Sequence, residues 1–284
     1  MRRIVYALLT AAAMAGGVIV WLETCPRIRE GTALPVVEPA GLPEAGRRAP
    51  DESPGCVEKQ VVPGPIRFTD VREVTSINFV HVSGDSPEKP YPAANGSGVA
   101  AIDYDLDGRI DLYFLTGTPF PLEAVRTAPC NRCYRNLGEW EFVDVTAATG
   151  LGESGYSAGV AVGDFDADGF PDVFVNGYGR KRLYNNRGDG TFADVTPQSG
   201  IDNSGWGTGA AFLDYDNDGL LDLYVCIYAR ADLGLDHFCG DRKKGVRIYC
   251  PPALIPPAPD ALYHNEGNGL FQNANHVAGL GVAP

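Results

Sequence analysis

Three times the chain spells Asp-x-Asp-x-Asp-Gly-x-x-Asp: DYDLDGRID from Asp103 to Asp111, DFDADGFPD from Asp164 to Asp172, and DYDNDGLLD from Asp214 to Asp222. Such a repeat dictates the architecture, because every copy must be the same supersecondary unit stacked against its neighbours. The flanks of each loop are apolar and short. VAAI, VAVG and AAFL precede the loops, and LYFL, VFVN and LYVC follow them. Runs of this length, rich in Val, Leu, Phe and Tyr and bounded by Gly and Asp, have the signature of strands. None reaches the roughly 10–12 residues of helical periodicity that a helix requires. The two runs around each loop therefore predict a β-hairpin.

A second block follows each loop: CYRNLGEWEF at 133–142, LYNNRGDGTF at 183–192 and LYHNEGNGLF at 262–271. It predicts a second hairpin with its own tight turn. A third block, FTDV at 68–71, FVDV at 142–145 and FADV at 192–195, recurs in degenerate form as Phe271-Gln272-Asn273-Ala274. Four short strands per unit are the form of a propeller blade. The expected fold is all-β, with about three four-stranded propeller-type blades forming an incomplete propeller. The middle unit is compact and the other two carry insertions. High Gly (35) and Pro (22) suit many short strands joined by turns.

The loop chemistry points to a cation. Carboxylates at positions 1, 3, 5 and 9 turn alternate side chains inward, and Gly at position 6 takes the sharp bend. Position 7 offers a backbone carbonyl, which leaves its side chain free to vary: Arg109, Phe170 and Leu220. Calcium takes about 6–8 oxygens, a set that these carboxylates, one carbonyl and water can supply. Magnesium keeps more of its waters, and zinc wants Cys or His, which the loops lack. An EF-hand is excluded, since position 12 is Phe114, Val175 or Val225 rather than Glu. Without a cation, four Asp in nine residues repel one another and some pKa values must rise. A single such loop could be an ordinary Asp-Gly turn; three complete copies argue against that.

Before the repeats, Arg2 and Arg3 lead into an uncharged apolar stretch from Ile4 to Leu22. Residues 1–25 read as a targeting segment, an uncleaved anchor being favoured over a cleaved signal peptide. The body is then expected outside the cytoplasm: at the cell surface, in the periplasm or secreted, and membrane-anchored in the favoured case. Residues 26–66 contain eight prolines and read as an extended linker. Residues 67–284 form the repeat domain. The net charge of −13 argues against nucleic acid as a partner, because phosphates need Lys and Arg to neutralise them.

The units GSGVAAIDYDLDGRIDLYF, AGVAVGDFDADGFPDVFV and GTGAAFLDYDNDGLLDLYV resemble the FG-GAP/VCBS repeat, which also builds the calcium-binding blades of integrin α-subunits. Residues 66–284 look most like exported bacterial proteins similar to cartilage acidic protein. They share the FTDV…INFVH…G lead-in, the LYxNxGDGTFxDVT block and a Cys-containing insertion after the third loop. The resemblance implies a β-propeller with calcium in the inter-strand loops, in about three sites. The ligands it implies are Asp103, Asp105, Asp107, Arg109 (carbonyl) and Asp111; Asp164, Asp166, Asp168, Phe170 (carbonyl) and Asp172; and Asp214, Asp216, Asp218, Leu220 (carbonyl) and Asp222. Family members usually have more repeats, so the chain reads as a truncated product in preference to an open three-blade arc.

Seven cysteines fit an oxidising compartment, with Cys239 and Cys250 expected to pair across an inserted loop. Cys130 and Cys133 form C-x-x-C, for which a short disulfide is expected ahead of a free thiol pair or half a zinc site. Cys226 reads as a buried small hydrophobe. His81, His237, His264 and His276 belong to no motif, and His264 reads as a turn residue. No nucleophile elbow appears, so no enzymatic activity and no catalytic residue are expected. The function expected is a calcium-stabilised scaffold for adhesion or interaction, with an unidentified protein or glycan ligand. The alternatives are an extracytoplasmic propeller enzyme or a carbohydrate-binding protein in which calcium is purely structural. The insertion from Ala229 to Pro259, with Arg242, Lys243, Lys244 and Arg247, is a candidate surface, and Asn95-Gly96-Ser97 is a formal glycosylation sequon.

Overall fold

The computed structural model describes residues 68–120, 130–202, 204–230 and 238–280. The expected targeting segment and linker lie outside the described residues, among which no helix is long and apolar enough to cross a membrane.

The repeats fold as three antiparallel four-stranded sheets, each with its strands in chain order. The first contains β1 (Val99–Ile102), β2 (Asp111–Phe114), β3 (Arg132–Gly138) and β4 (Glu141–Asp144). A short helix, α1 (Thr146–Thr149), leads out of it. The second sheet is β5 (Ser157–Gly163), β6 (Asp172–Gly177), β7 (Arg180–Asn186) and β8 (Phe192–Asp194), followed by α2 (Thr196–Ser199). The third begins with β9 (Trp206–Leu213) and β10 (Asp222–Ala229). An inserted hairpin, β11 (Gly240–Asp241) and β12 (Val246–Arg247), separates these from β13 (Ala261–Asn265) and β14 (Phe271–Asn273). Both hairpins expected in each unit form. The register is set the same way each time: Ile102 faces Asp111, Gly163 faces Asp172, and Leu213 faces Asp222.

The sheets stack face to face. Tyr113, Leu115 and Cys133 of the first pack with Val173 and Val175 of the second. Phe174 and Leu183, on the opposite face of the second, pack with Leu223, Val225 and Tyr263 of the third. That explains why β6 is buried at every position. A sheet covered on both faces has no solvent side to impose polar alternation. The buried Asn176 side chain bridges the stack, accepting from the Gly159 amide (3.0 Å) and donating to the Gly209 carbonyl (2.8 Å). A Cβ at Gly159 would sit 2.6 Å from Asn176 Oδ1, so glycine is required there for close approach.

The two short helices repeat one device. The Thr146 and Thr196 amides donate to Asp144 and Asp194, while their hydroxyls accept from the Cys133 and Leu183 amides. In the third unit Asn273 and Asn275 replace Asp and Thr in the same bonds.

Cys239 and Cys250 form the expected disulfide across the inserted hairpin. That hairpin reaches residues ahead of the first sheet: Arg247 donates to the Glu88 carbonyl at 2.9 Å, and Lys89 lies over the Tyr249 ring. The short disulfide expected within C-x-x-C is not formed. Cys130 and Cys133 are both free, because Cys133 points into the core between the first two sheets while Cys130 pairs by backbone with Ser154. Cys226 is free and half-buried, so its expected burial is only partial.

Candidate metal centres

Each acidic loop curls around its own first aspartate. Asp103 accepts from the amides of Asp107 and Gly108, both at 3.0 Å. Asp164 accepts from Asp168 (3.0 Å) and Gly169 (2.9 Å), and Asp214 from Asn217 (2.6 Å) and Gly219 (3.2 Å). The fifth-position carboxylates of Asp107, Asp168 and Asp218 accept from the amides of Arg109, Phe170 and Leu220. The bend uses two left-handed residues. One is the glycine at position 6, and the other lies at position 4: Leu106, Ala167 and Asn217. A Cβ on Gly108, Gly169 or Gly219 would meet nothing within 4 Å. The glycine is there for its positive φ, not for want of space.

The ninth aspartate of each loop opens the next strand and is fully buried: Asp111, Asp172 and Asp222. Each ties its loop to the third strand. Asp172 accepts from the amides of Asn186 (2.8 Å) and Phe165 (3.0 Å), and Asp111 and Asp222 repeat the pattern with Asn136 and Tyr104, and with Asn265 and Tyr215. Burial pushes the Asp172 carboxyl up to about 7 and that of Asp111 to about 6. Neighbouring loop carboxylates add to the rise, and the amide bonds only partly oppose it. Asp222 shifts the same way. A cation among the loop carboxylates would favour their ionised forms.

The carboxylates converge. Oxygens of Asp103, Asp105 and Asp107 lie within 4.8 Å of one another, as do those of Asp164, Asp166 and Asp172, and those of Asp214, Asp216 and Asp218. Asp105 keeps one buried oxygen, Oδ1, with no hydrogen-bond partner. Clusters made of hard carboxylate oxygens suit a divalent cation such as calcium.

The third strand adds one side chain to each loop that the sequence pattern did not reveal. At equivalent positions stand Arg135, Asn185 and His264. Arg135 Nη2 lies 2.7 Å from Asp105 and 3.1 Å from Asp107. Asn185 donates to Asp166 at 2.7 Å. His264 is not the turn residue expected: it lies within β13, with Nδ1 3.2 Å from Asp222 and 3.4 Å from Asp216. With those two aspartates it makes a further cluster of metal-ligating atoms. The clue was present in the aligned Arg-Asn, Asn-Asn and His-Asn pairs, but only the sheet shows that their first members face the loop.

Position 7 is also less free than expected. A Cβ on Gly188 would lie 2.7 Å from the Phe170 ring, and one on Gly267 would lie 3.2 Å from Leu220. These side chains cover the turn of the second hairpin. Arg109 instead pairs with Asp107 and donates from Nε to the Asn136 carbonyl at 2.8 Å.

The Asn of the Tyr-x-Asn-x-Gly block fastens unit to unit. Asn186, fully buried, donates to the Tyr104 carbonyl in the first loop at 2.8 Å. Asn265 does the same to Phe165 in the second loop at 2.7 Å. The first and second loops are therefore each held by the sheet that follows. Replacing Asn186 with Ala is expected to cost about 2–3 kcal/mol in urea denaturation, since it orphans buried carbonyls as well as removing bonds.

A family profile for the FG-GAP-like repeat matches residues 124–175 and again residues 164–225, two overlapping stretches that between them contain the second and third loops. No curated protein matches the chain. Among solved structures, this chain is similar to that of a lectin from Agrocybe aegerita, whose title describes specific recognition of non-reducing terminal N-acetylglucosamine. The identity is 17%, with 62% of this chain and 36% of that chain covered and a TM-score of 0.31. Recurrent acidic loops, a repeated four-stranded unit and the profile matches agree: the chain contains FG-GAP-like repeats.

Proposed function

We propose that this chain is an exported calcium-binding scaffold whose three sheets are propeller-type blades, and whose bound ions stiffen the loops at one end of the stack for adhesion or interaction. The observation that carries this reading is the threefold convergence of loop carboxylates beside a fully buried ninth aspartate. The proposed ligands are the four aspartates of each loop and the backbone carbonyls of Arg109, Phe170 and Leu220. A bound cation would offset the mutual repulsion of the carboxylates and let the buried aspartate ionise. The chain's own residues do the positioning: loop amides orient the first and fifth aspartates, and the third strand holds the ninth.

Export, anchoring through residues 4–22 and a spacer over 26–66 belong to the same proposal. The Cys239–Cys250 disulfide supports an oxidising compartment. The partner is a protein or glycan at the cell surface, and no catalytic role is assigned. Calorimetric titration of the full chain with calcium tests the metal reading. Saturable binding that persists in excess magnesium is expected, whereas no heat of binding at millimolar calcium would sink it.

A further inference from the structure

The three loops share one motif but not one electrostatic environment. In the first, two guanidinium groups stand among the carboxylates. Arg135 reaches from β3 to Asp105 and Asp107, and Arg109 folds back on Asp107. The residues equivalent to Arg135 are Asn185 in the second unit, which is uncharged, and His264 in the third. Exposure follows the same division. Asp105 and Asp107 are half-buried beneath the arginines, while their counterparts Asp166, Asp168, Asp216 and Asp218 are exposed.

We propose that Arg135, assisted by Arg109, is a built-in counter-ion that makes the first loop the weakest of the three for calcium. This rests on the calcium reading of the loops. A divalent ion entering among Asp103, Asp105 and Asp107 must displace or repel a guanidinium that already neutralises two of them. Affinity in oxygen cages follows the net charge of the ligand set, so calcium binding at this loop falls by about tenfold or more relative to the other two. The second and third loops have no arginine at the equivalent position and depend on the ion itself. Arg135 is thus a specificity-determining residue that sets how many ions the chain holds.

The test is calcium titration of the full chain beside Arg135→Asn, which installs the second unit's residue, and Arg135→Lys, which keeps the charge. Wild type and Arg135→Lys are expected to fill two tight sites and one at least about tenfold weaker, and Arg135→Asn to fill three of comparable affinity. Three equivalent sites in the wild type, or an unchanged isotherm in Arg135→Asn, overturns the proposal while leaving the calcium reading intact. A wild type that binds no calcium overturns that reading instead, and the counter-ion role is then judged from melting in EDTA. There Arg135→Asn must melt below both wild type and Arg135→Lys, because it leaves the first loop's carboxylates unneutralised. Equal melting temperatures in EDTA would refute the role outright.

Discussion

Excess EDTA is expected to lower the melting temperature of this chain by roughly 10–20 °C, and millimolar calcium to restore it. The size follows from linkage. An ion that binds only the folded form at about 100 times its dissociation constant stabilises by roughly 2.7 kcal/mol per site. Two well-filled loops contribute about 5 kcal/mol, and a domain of this size shifts by about 2–4 °C per kcal/mol. Structurally, the loops are not loose appendages. Asp111, Asp172 and Asp222 are buried in the sheets, and Asn186 and Asn265 join the first and second loops to the sheets after them. Repulsion released by removing the ion is therefore transmitted to the contacts between sheets. Differential scanning calorimetry with and without chelator measures this, and superimposable melts would contradict it.

Asp172→Asn separates a metal ligand from a structural aspartate. The substitution keeps the shape and one acceptor for the amides of Asn186 and Phe165, but removes the charge. In calcium it is expected to destabilise the chain by about 2–3 kcal/mol more than it does in EDTA, because only the calcium-loaded wild type loses an ion contact. A purely structural aspartate would show the same penalty in both conditions, and equal penalties would remove Asp172 from the ligand set. The pH dependence carries the same sign. The folded-state pKa of Asp172 lies near 7, above the ordinary carboxylate value, so in metal-free protein the neutral form is the better tolerated. Its contribution is present in acid and is lost as pH climbs through 7. Calcium stabilisation should therefore grow from pH 5 to pH 8, which paired melts at the two pH values would show.

The acidic motif, its hairpin and the four-strand unit were all legible in the chain, because they depend on local chemistry. Alternating apolar residues, Asp-Gly bends and the paired Tyr-x-Asn-x-Gly turn impose their geometry within a few residues, and the repetition removed the ambiguity of any single copy. The convergence of carboxylates was legible for the same reason: Asp side chains spaced by two along a tight bend face one another. The Cys239–Cys250 pairing could be inferred because the two cysteines bracket an insertion, whereas Cys130 and Cys133 misled, since nothing local shows that Cys133 turns into a core shared with the next sheet.

What only the tertiary structure decided is how the three copies differ. Arg135, Asn185 and His264 are separated in sequence from the loops that they touch, and only the register of the third strand brings them there. The buried state of β6 on both faces, and the bonds from Asn186 and Asn265 into the preceding loop, likewise arise from stacking one sheet on another. A local pattern fixes backbone bends because neighbouring residues share them. The electrostatic setting of a buried carboxylate is fixed by whichever distant side chain the fold places beside it.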